Sequence, residues 1–205
     1  IKYVRNKRVT EMMPTVIELL VRFMGGFWKL KQTINCAKHG IWRKYGLAVY
    51  YLYLRNYGSF IGHTAVFDGR PLFPHGIKGI FIAGGSRVGK NCIIFHHVTL
   101  GANPLPNSKT TGVPKIGHNC YIGAGATIIG AIRIGNNCRI GANCTVFADI
   151  PDNSIVISET PRIIQRSNII NKYYKWSPDG PIYYEDGKWF LERDSEIISN
   201  LRYKL

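Results

Sequence analysis

Six histidines and five cysteines bound the chemistry open to this sequence. The histidines are His39, His63, His75, His96, His97 and His118. Imidazole titrates near neutrality, so it serves as a general base or a metal ligand. Zinc requires three donors converging on one point. His96 and His118 stand 22 residues apart, or 12 once an insertion between them is removed, which puts them on different faces. No close histidine pair and no CxxC completes a site, so no metal is expected. Proton transfer remains. His96 and His97 precede Val98 beside a polar loop, whereas His118 falls at a solvent-facing turn.

The element that must position these residues is a repeat of six. Ile82, Val88, Ile94, Leu100, Ile116, Ile122, Ile128, Ile134, Ile140 and Val146 recur at that interval, broken once between Leu100 and Ile116 by an extra ten residues. Glycine follows six of them: Gly89, Gly101, Gly117, Gly123, Gly135 and Gly141. This period fits neither a helix nor an alternating strand and predicts a parallel β-helix of hexapeptide repeats. Cys92, Cys120, Cys138 and Cys144 hold the fifth place of a hexad, where Val98, Ala126 and Ile132 also stand. That slot therefore points inward. If three hexads make a coil, the first three thiols stack in one column, read as core packing rather than disulfides.

Three regions are expected. Residues 1–57 read as short helices, about 14–24, 27–38 and 42–57, that cap the open end of the solenoid. Residues 58–160 form the β-helix, with early irregular turns marked by Ile61, Phe67 and Phe73 and a one-residue disturbance between His75 and Ile82. The insertion, 102–114, reads ANPLPNSKTTGVP and must leave the coil as a loop, where function concentrates. The ladder is expected to stop near Pro151. Residues 161–205 read as a helix over 161–174 and then a hairpin, with turns at Asp179-Gly180 and Asp186-Gly187.

Composition narrows the classes. Of 205 residues, 45% are apolar and 19% charged, so a packed core is within reach. The net charge is +15, and residues 1–57 carry 11 Lys and Arg against Glu11 and Glu18. Such a stretch favours an anionic partner. The expectation is peripheral contact of 1–57 with the inner face of a membrane, through Lys and Arg stems lying beside aromatic rings. No nucleic-acid recognition motif accompanies the charge, and none is expected to bind. Gly46 to Leu54, nine residues, is too short for a bilayer span, which takes ~20. No secretory leader pattern is visible, so a cytoplasmic location is expected.

Three stretches carry a resemblance: FHHVTLGAN at 95–103, PKIGHNCYIGAGATIIGAIRIGNNCRIGANCTVFADIP at 114–151, and TPRII at 160–164. They resemble the serine acetyltransferase branch of the left-handed β-helix acyltransferases, and especially its subgroup from polysaccharide clusters. The resemblance implies a mainly β, left-handed parallel β-helix, a homotrimer with sites between subunits, and acetyl-CoA as co-substrate. By motif position it implies His75 as catalytic base. It implies Gly101, Ala102, Lys115, Ala124, Ala142 and Arg162 on the acetyl-CoA side, and His96 or His97 at the acceptor. Asp68 or a backbone carbonyl is the expected group to orient His75.

Departures from the family shape the expected acceptor. Phe60 and Pro74 stand where serine acetyltransferases have aspartates, and Gly112-Val113 replace an Arg-His pair. The helical region is shorter, and Leu205 stands where the family has an isoleucine tail. These differences predict an O-acetyltransferase acting on a sugar hydroxyl, free or lipid-linked, in surface-polysaccharide assembly. Serine acetylation for cysteine biosynthesis is the alternative, and a non-catalytic scaffold is the alternative of another class.

Overall fold

The structure, a computed structural model, describes residues 15–37, 40–159, 172–185 and 187–202. His39, Arg162, most of the expected 161–174 helix and the basic residues before Thr15 lie outside the described residues. The chain divides into two compact units, Ile1–Glu159 and Thr160–Leu205.

The first unit is a three-sided parallel β-helix. Its first face stacks β1 (Phe60–Ile61), β3 (Phe81–Ile82), β6 (Thr99–Gly101), β9 (Thr127–Ile129) and β12 (Thr145–Val146). The second face stacks β2 (Val66–Phe67), β4 (Arg87–Val88), β7 (Lys115–Ile116) and β10 (Arg133–Ile134). The third face stacks β5 (Ile93–Ile94), β8 (Tyr121–Ile122), β11 (Arg139–Ile140) and β13 (Ile155–Val156). Leu72 extends this face by bridging to Ile93.

Each side of a coil has two or three strand residues. In the central coils the first points outward and the second inward. The inward residue is the hexad aliphatic, and all ten are buried. Each such burial contributes about 1.5–3 kcal/mol, so the column is the main source of stability. The ladder outruns the expected end at Pro151. Ile150 bridges to Ile134, and β13 pairs with β11. Pro151 sits in a corner, where its missing N–H costs no ladder bond.

The corners need a backbone that turns sharply. Asn91, Asn119, Asn137 and Asn153 occupy the second–third corner of successive coils with φ near +60° (57, 56, 56 and 61°). Asparagine tolerates this region. Their side chains form a ladder at 3.2, 3.2 and 3.0 Å. Cys92, Cys120 and Cys138 stack beside them, buried and free. Cys120 donates to the Gly135 carbonyl at 3.1 Å, and its shared hydrogen bond with Cys92, together with burial, keeps that thiol protonated.

Three helices precede the coil: α1 (Val16–Phe23), α2 (Phe27–Cys36) and α3 (Ile41–Asn56). Thr15 caps α1 in a capping box with Glu18. Lys31 lies near the Phe67 ring, 5.6 Å from its centroid, but not in solvent as its basic stretch predicts. It is buried and donates to the His63 and Ala65 carbonyls, both at 2.6 Å. Tyr50 donates to the Ile61 carbonyl at 3.0 Å. The first coil has no coil above it to take these carbonyls, so α2 and α3 satisfy them instead. Among the described residues no helix is long and apolar enough to cross a membrane.

The second unit holds an antiparallel sheet of β14 (Tyr173–Ser177), β15 (Gly180–Glu185) and β16 (Lys188–Leu191), and α4 (Ser195–Arg202). Tyr173 and Tyr174 are therefore strand, not helix. The aromatic alternation pairs them with Tyr184 and Tyr183 across the ladder. Lys172 and Lys175 each cover a ring at 3.7 Å, those of Tyr183 and Trp189.

Burial lowers the Lys31 ammonium to about 8. The unfolded chain releases that proton near ~10.4. The folded state therefore loses it first, and Lys31 adds stability as pH rises through this window. Urea denaturation at pH 7 and pH 10 should show wild type gaining on the order of 1–3 kcal/mol relative to Lys31→Met.

Candidate functional site

Two edges of the first face collect the expected site residues. The third–first corner receives the turn 73–80, then 95–98, then 123–126 and 141–144 in successive coils. His75, His96, His97, Ala124 and Ala142 thus form one column. The first–second corner holds Ala102 and the loop, with Gly101 at the end of β6. Lys115 opens β7 on the second face just beyond it. One chain therefore places the two halves of the candidate site on opposite edges of one face.

The column is tight because its backbone is close-packed. The Gly125 amide donates to the His96 carbonyl at 3.1 Å, and the Asn143 amide to the Ala124 carbonyl at 2.8 Å. A Cβ on Gly123 would lie 2.6 Å from the Ala142 amide nitrogen, so only glycine lets these two turns approach. Ala124 and Ala142 consequently present backbone and methyl groups at the surface, a lining suited to an extended thioester arm.

His75 lies exposed at the head of its turn. Its ring centroid stands 5.0 Å from that of His96, nearly perpendicular at 81°, and 5.7 Å from that of Phe95. These rings orient it. Asp68 does not, because it sits on the second-face side of the coil and pairs with Arg87 at 2.8 Å. The Nδ1 atom of His96 is buried without a hydrogen-bond partner among the described residues.

His97 adopts φ +58°, in the slot that Gly125 and Asn143 fill in the next coils. Its amide donates to the Lys78 carbonyl at 3.1 Å. Its ring lies against Gly79, where a Cβ would fall 2.1 Å from Nδ1. Histidine in a left-handed corner of an asparagine and glycine series is a sequence-readable signal of special use.

Beside His97 opens a cavity of about 760 Å³, walled by Lys78, Gly79, Phe81, Tyr57, Asn56 and Glu18, among others. Glu18 accepts from the Tyr57 hydroxyl at 2.6 Å and the Thr15 amide at 2.8 Å. The Tyr57 hydrogen bond chiefly holds its carboxyl below the usual carboxylate range. Lys78 makes no side-chain hydrogen bond or ion pair among the described residues. The sequence reading passed over Glu18, Tyr57 and Lys78. The clue was the length of this turn: Leu72 to Phe81 is nine residues where the next coil takes six from Ile93 to Thr99, three extra rather than the one expected.

The two remaining described histidines, His63 and His118, are structural. His118 Nδ1 accepts from the Lys90 amide at 2.8 Å. His63 Nδ1 and the Tyr51 hydroxyl stand 2.9 Å apart, and desolvation with nearby Arg43 and Lys31 lowers its basicity. Among the described residues no cluster of three His, Cys, Asp or Glu is placed to hold a metal ion.

Residues 114–148 match the bacterial transferase hexapeptide (six repeats) family. The chain carries the left-handed parallel β-helix of the hexapeptide-repeat transferases. Within that class its similarities are to serine acetyltransferases. A probable serine acetyltransferase 5 of rice is 43% identical over 108 residues, which is 52% of this chain and 31% of that protein. The serine acetyltransferase of Helicobacter pylori strain 26695 is 34% identical over 105 residues, 51% of this chain and 60% of the relative. The chain thus spans about a third to three fifths of these relatives' length. Serine acetyltransferase isoform 3 of Entamoeba histolytica, solved with cysteine, superposes with TM-score 0.56 at 28% identity, covering 69% of this chain and 50% of that one. The soybean apoenzyme gives 0.55 at 29% identity, with coverage of 67% and 54%.

These comparisons overturn the expected sugar acceptor and the polysaccharide role. The relatives and solved structures are serine acetyltransferases, the stated alternative. Four replaced residues, Phe60, Pro74, Gly112 and Val113, do not amount to a lost acceptor site. A list of missing side chains says nothing about which others the fold brings to the same corner.

Replacing Gly79 with Ala tests the packing of this corner. The Cβ needs space held by the His97 ring, and φ there is +64°. Gly79→Ala should move the His97 ring signals in nitrogen-edited NMR and lower stability by about 1–3 kcal/mol.

Proposed function

We propose that the chain is an acetyl-CoA-dependent O-acetyltransferase whose acceptor is serine. The observation that carries this reading is the similarity of its β-helix to serine acetyltransferases across plants and bacteria. Acetyl-CoA would supply the acetyl thioester, with Gly101, Ala102, Lys115, Ala124 and Ala142 as the residues that hold it.

His75 is the base. It takes the hydroxyl proton as the serine oxygen attacks the thioester carbonyl. The new C–O bond forms, the C–S bond breaks, and the departing thiolate takes up a proton. A backbone N–H in the Gly101–Ala102 turn stabilises the oxyanion, a role worth about 3 kcal/mol where such donors have been removed. The cavity beside His97 receives the acceptor; His97 lines it, and His75 stands outside its wall in the same corner column, beyond His96. Its unpaired Lys78 suits the serine carboxylate, and the ionised Glu18 suits the ammonium group, which replaces what the missing aspartates and Arg-His pair provide.

The two edges join in a homotrimer. Strand residues that face outward on the first face are Phe60, Phe81, Thr99, Gly101, Thr127, Ile129 and Thr145, none of them charged. Phe60 and Phe81 remain 41% and 48% exposed in the single chain. Three copies packed through this face would set the His75 edge of one beside the Gly101 edge of the next.

The test is release of free CoA thiol from acetyl-CoA with and without serine. Serine-dependent release supports the reading, and a rate independent of serine overturns it. His75→Ala should cut turnover by ~100-fold or more with assembly and CoA binding intact. Lys78→Gln should raise the KM for serine about tenfold and leave kcat nearly unchanged.

A further inference from the structure

The second face carries a row of cations. Arg87 and Arg133 are each the direct cross-strand partner of Lys115, and all three point outward. Neighbouring strands run ~4.8 Å apart. Like charges directly opposed across a sheet destabilise it. The corresponding places on the first face are Phe81, Thr99 and Thr127, and those on the third are Ile93, Tyr121 and Arg139. The row is thus a feature of one face, not of the repeat.

Local acids offset part of this charge, with two carboxylates, Asp68 and Asp149, set against the three cations around the row. Asp68 pairs with Arg87 at 2.8 Å. Asp149 turns a carboxylate oxygen to the Arg133 backbone amide, at 2.8 Å, not to its guanidinium. The side chains of Lys115 and Arg133 make no ion pair or hydrogen bond among the described residues. The row borders a groove of about 480 Å³. Buried Ile116 and Ile134 form its floor, Val113 from the insertion forms one rim and His118 the other.

We propose that this row binds the phosphates of the donor's nucleotide end, the pyrophosphate and 3′-phosphate of coenzyme A. The inference rests on the acetyl-CoA reading given above and adds Arg87 and Arg133 to it. Guanidinium groups match phosphate geometry and stay charged at any working pH. An anion laid along the row relieves the repulsion that the empty face bears. Position selects the ligand, because the groove begins beside the edge where Gly101 and Ala102 would hold the acetyl end.

The experiment uses the full chain and titrates CoA, 3′-dephospho-CoA and 3′,5′-ADP calorimetrically into wild type, Arg133→Gln, Arg87→Gln and the third-face control Arg139→Gln. Arg133→Gln should weaken CoA and 3′,5′-ADP alike by about tenfold, with a smaller loss for Arg87→Gln, whose charge Asp68 already offsets. Arg139→Gln should bind as wild type. Acetyl-pantetheine, which lacks the nucleotide, should keep its KM in Arg133→Gln, while the KM for acetyl-CoA rises. Unchanged CoA affinity in Arg133→Gln overturns the proposal, as does an equal loss with acetyl-pantetheine. Wild type that binds 3′,5′-ADP through Arg133 without acetylating any acceptor would sink the transferase reading and leave the phosphate site standing.

Discussion

One inward aliphatic side chain per six residues governs this structure. With two strand residues to a side, each coil side buries a single large apolar group, so no strand is stable alone. Stability comes from stacking the same residue in register, coil on coil. Ile82 lies under Leu100, Leu100 under Ile128, and Ile128 under Val146. A slip of one residue would turn every one of them to solvent. The chain must therefore bend at fixed places, and its corners become columns of equivalent residues.

That constraint is what brings chemistry together. His97, Gly125 and Asn143 share a corner slot and a positive φ because the coil demands it. His75 and His96 meet at 5.0 Å because their turns are neighbours in the same column. The ten inserted residues leave by the opposite corner of the first face, where the loop closes on itself through Asn103 and Gly112. An inserted loop at a corner leaves the stacked core untouched, so the coil tolerates it.

The three faces share a backbone and differ in side chains. The first is uncharged, the second carries stacked cations, and the third mixes aliphatic, aromatic and cationic residues. Inward positions cannot vary much, since each must fill the same triangular core. Outward positions are free of that demand. Their composition therefore reports on association and ligands, with the neutral face suited to burial and the charged face to an anion.

Hexad spacing alone determined the β-helix, its inward residues, the site of the loop and the buried cysteine column, because a repeat that short has one way to bury its aliphatics. Motif position grouped Ala124 and Ala142 with Gly101 and Ala102, whereas within one chain the coil sets them in the column of His75, at the opposite corner of the first face. Other features depended on contacts between residues far apart in sequence. Lys31 reads as a surface cation, yet it seals the first coil because no strand lies above to take the His63 and Ala65 carbonyls. Asp68 reads as a partner for His75, yet it answers Arg87 on another side. Glu18 and Lys78 stand 60 residues apart and meet at one cavity only when α1 packs over the turn before β3. Local periodicity dictates which way a side chain points, whereas the group it meets there is set by packing, and that is a property of the folded chain.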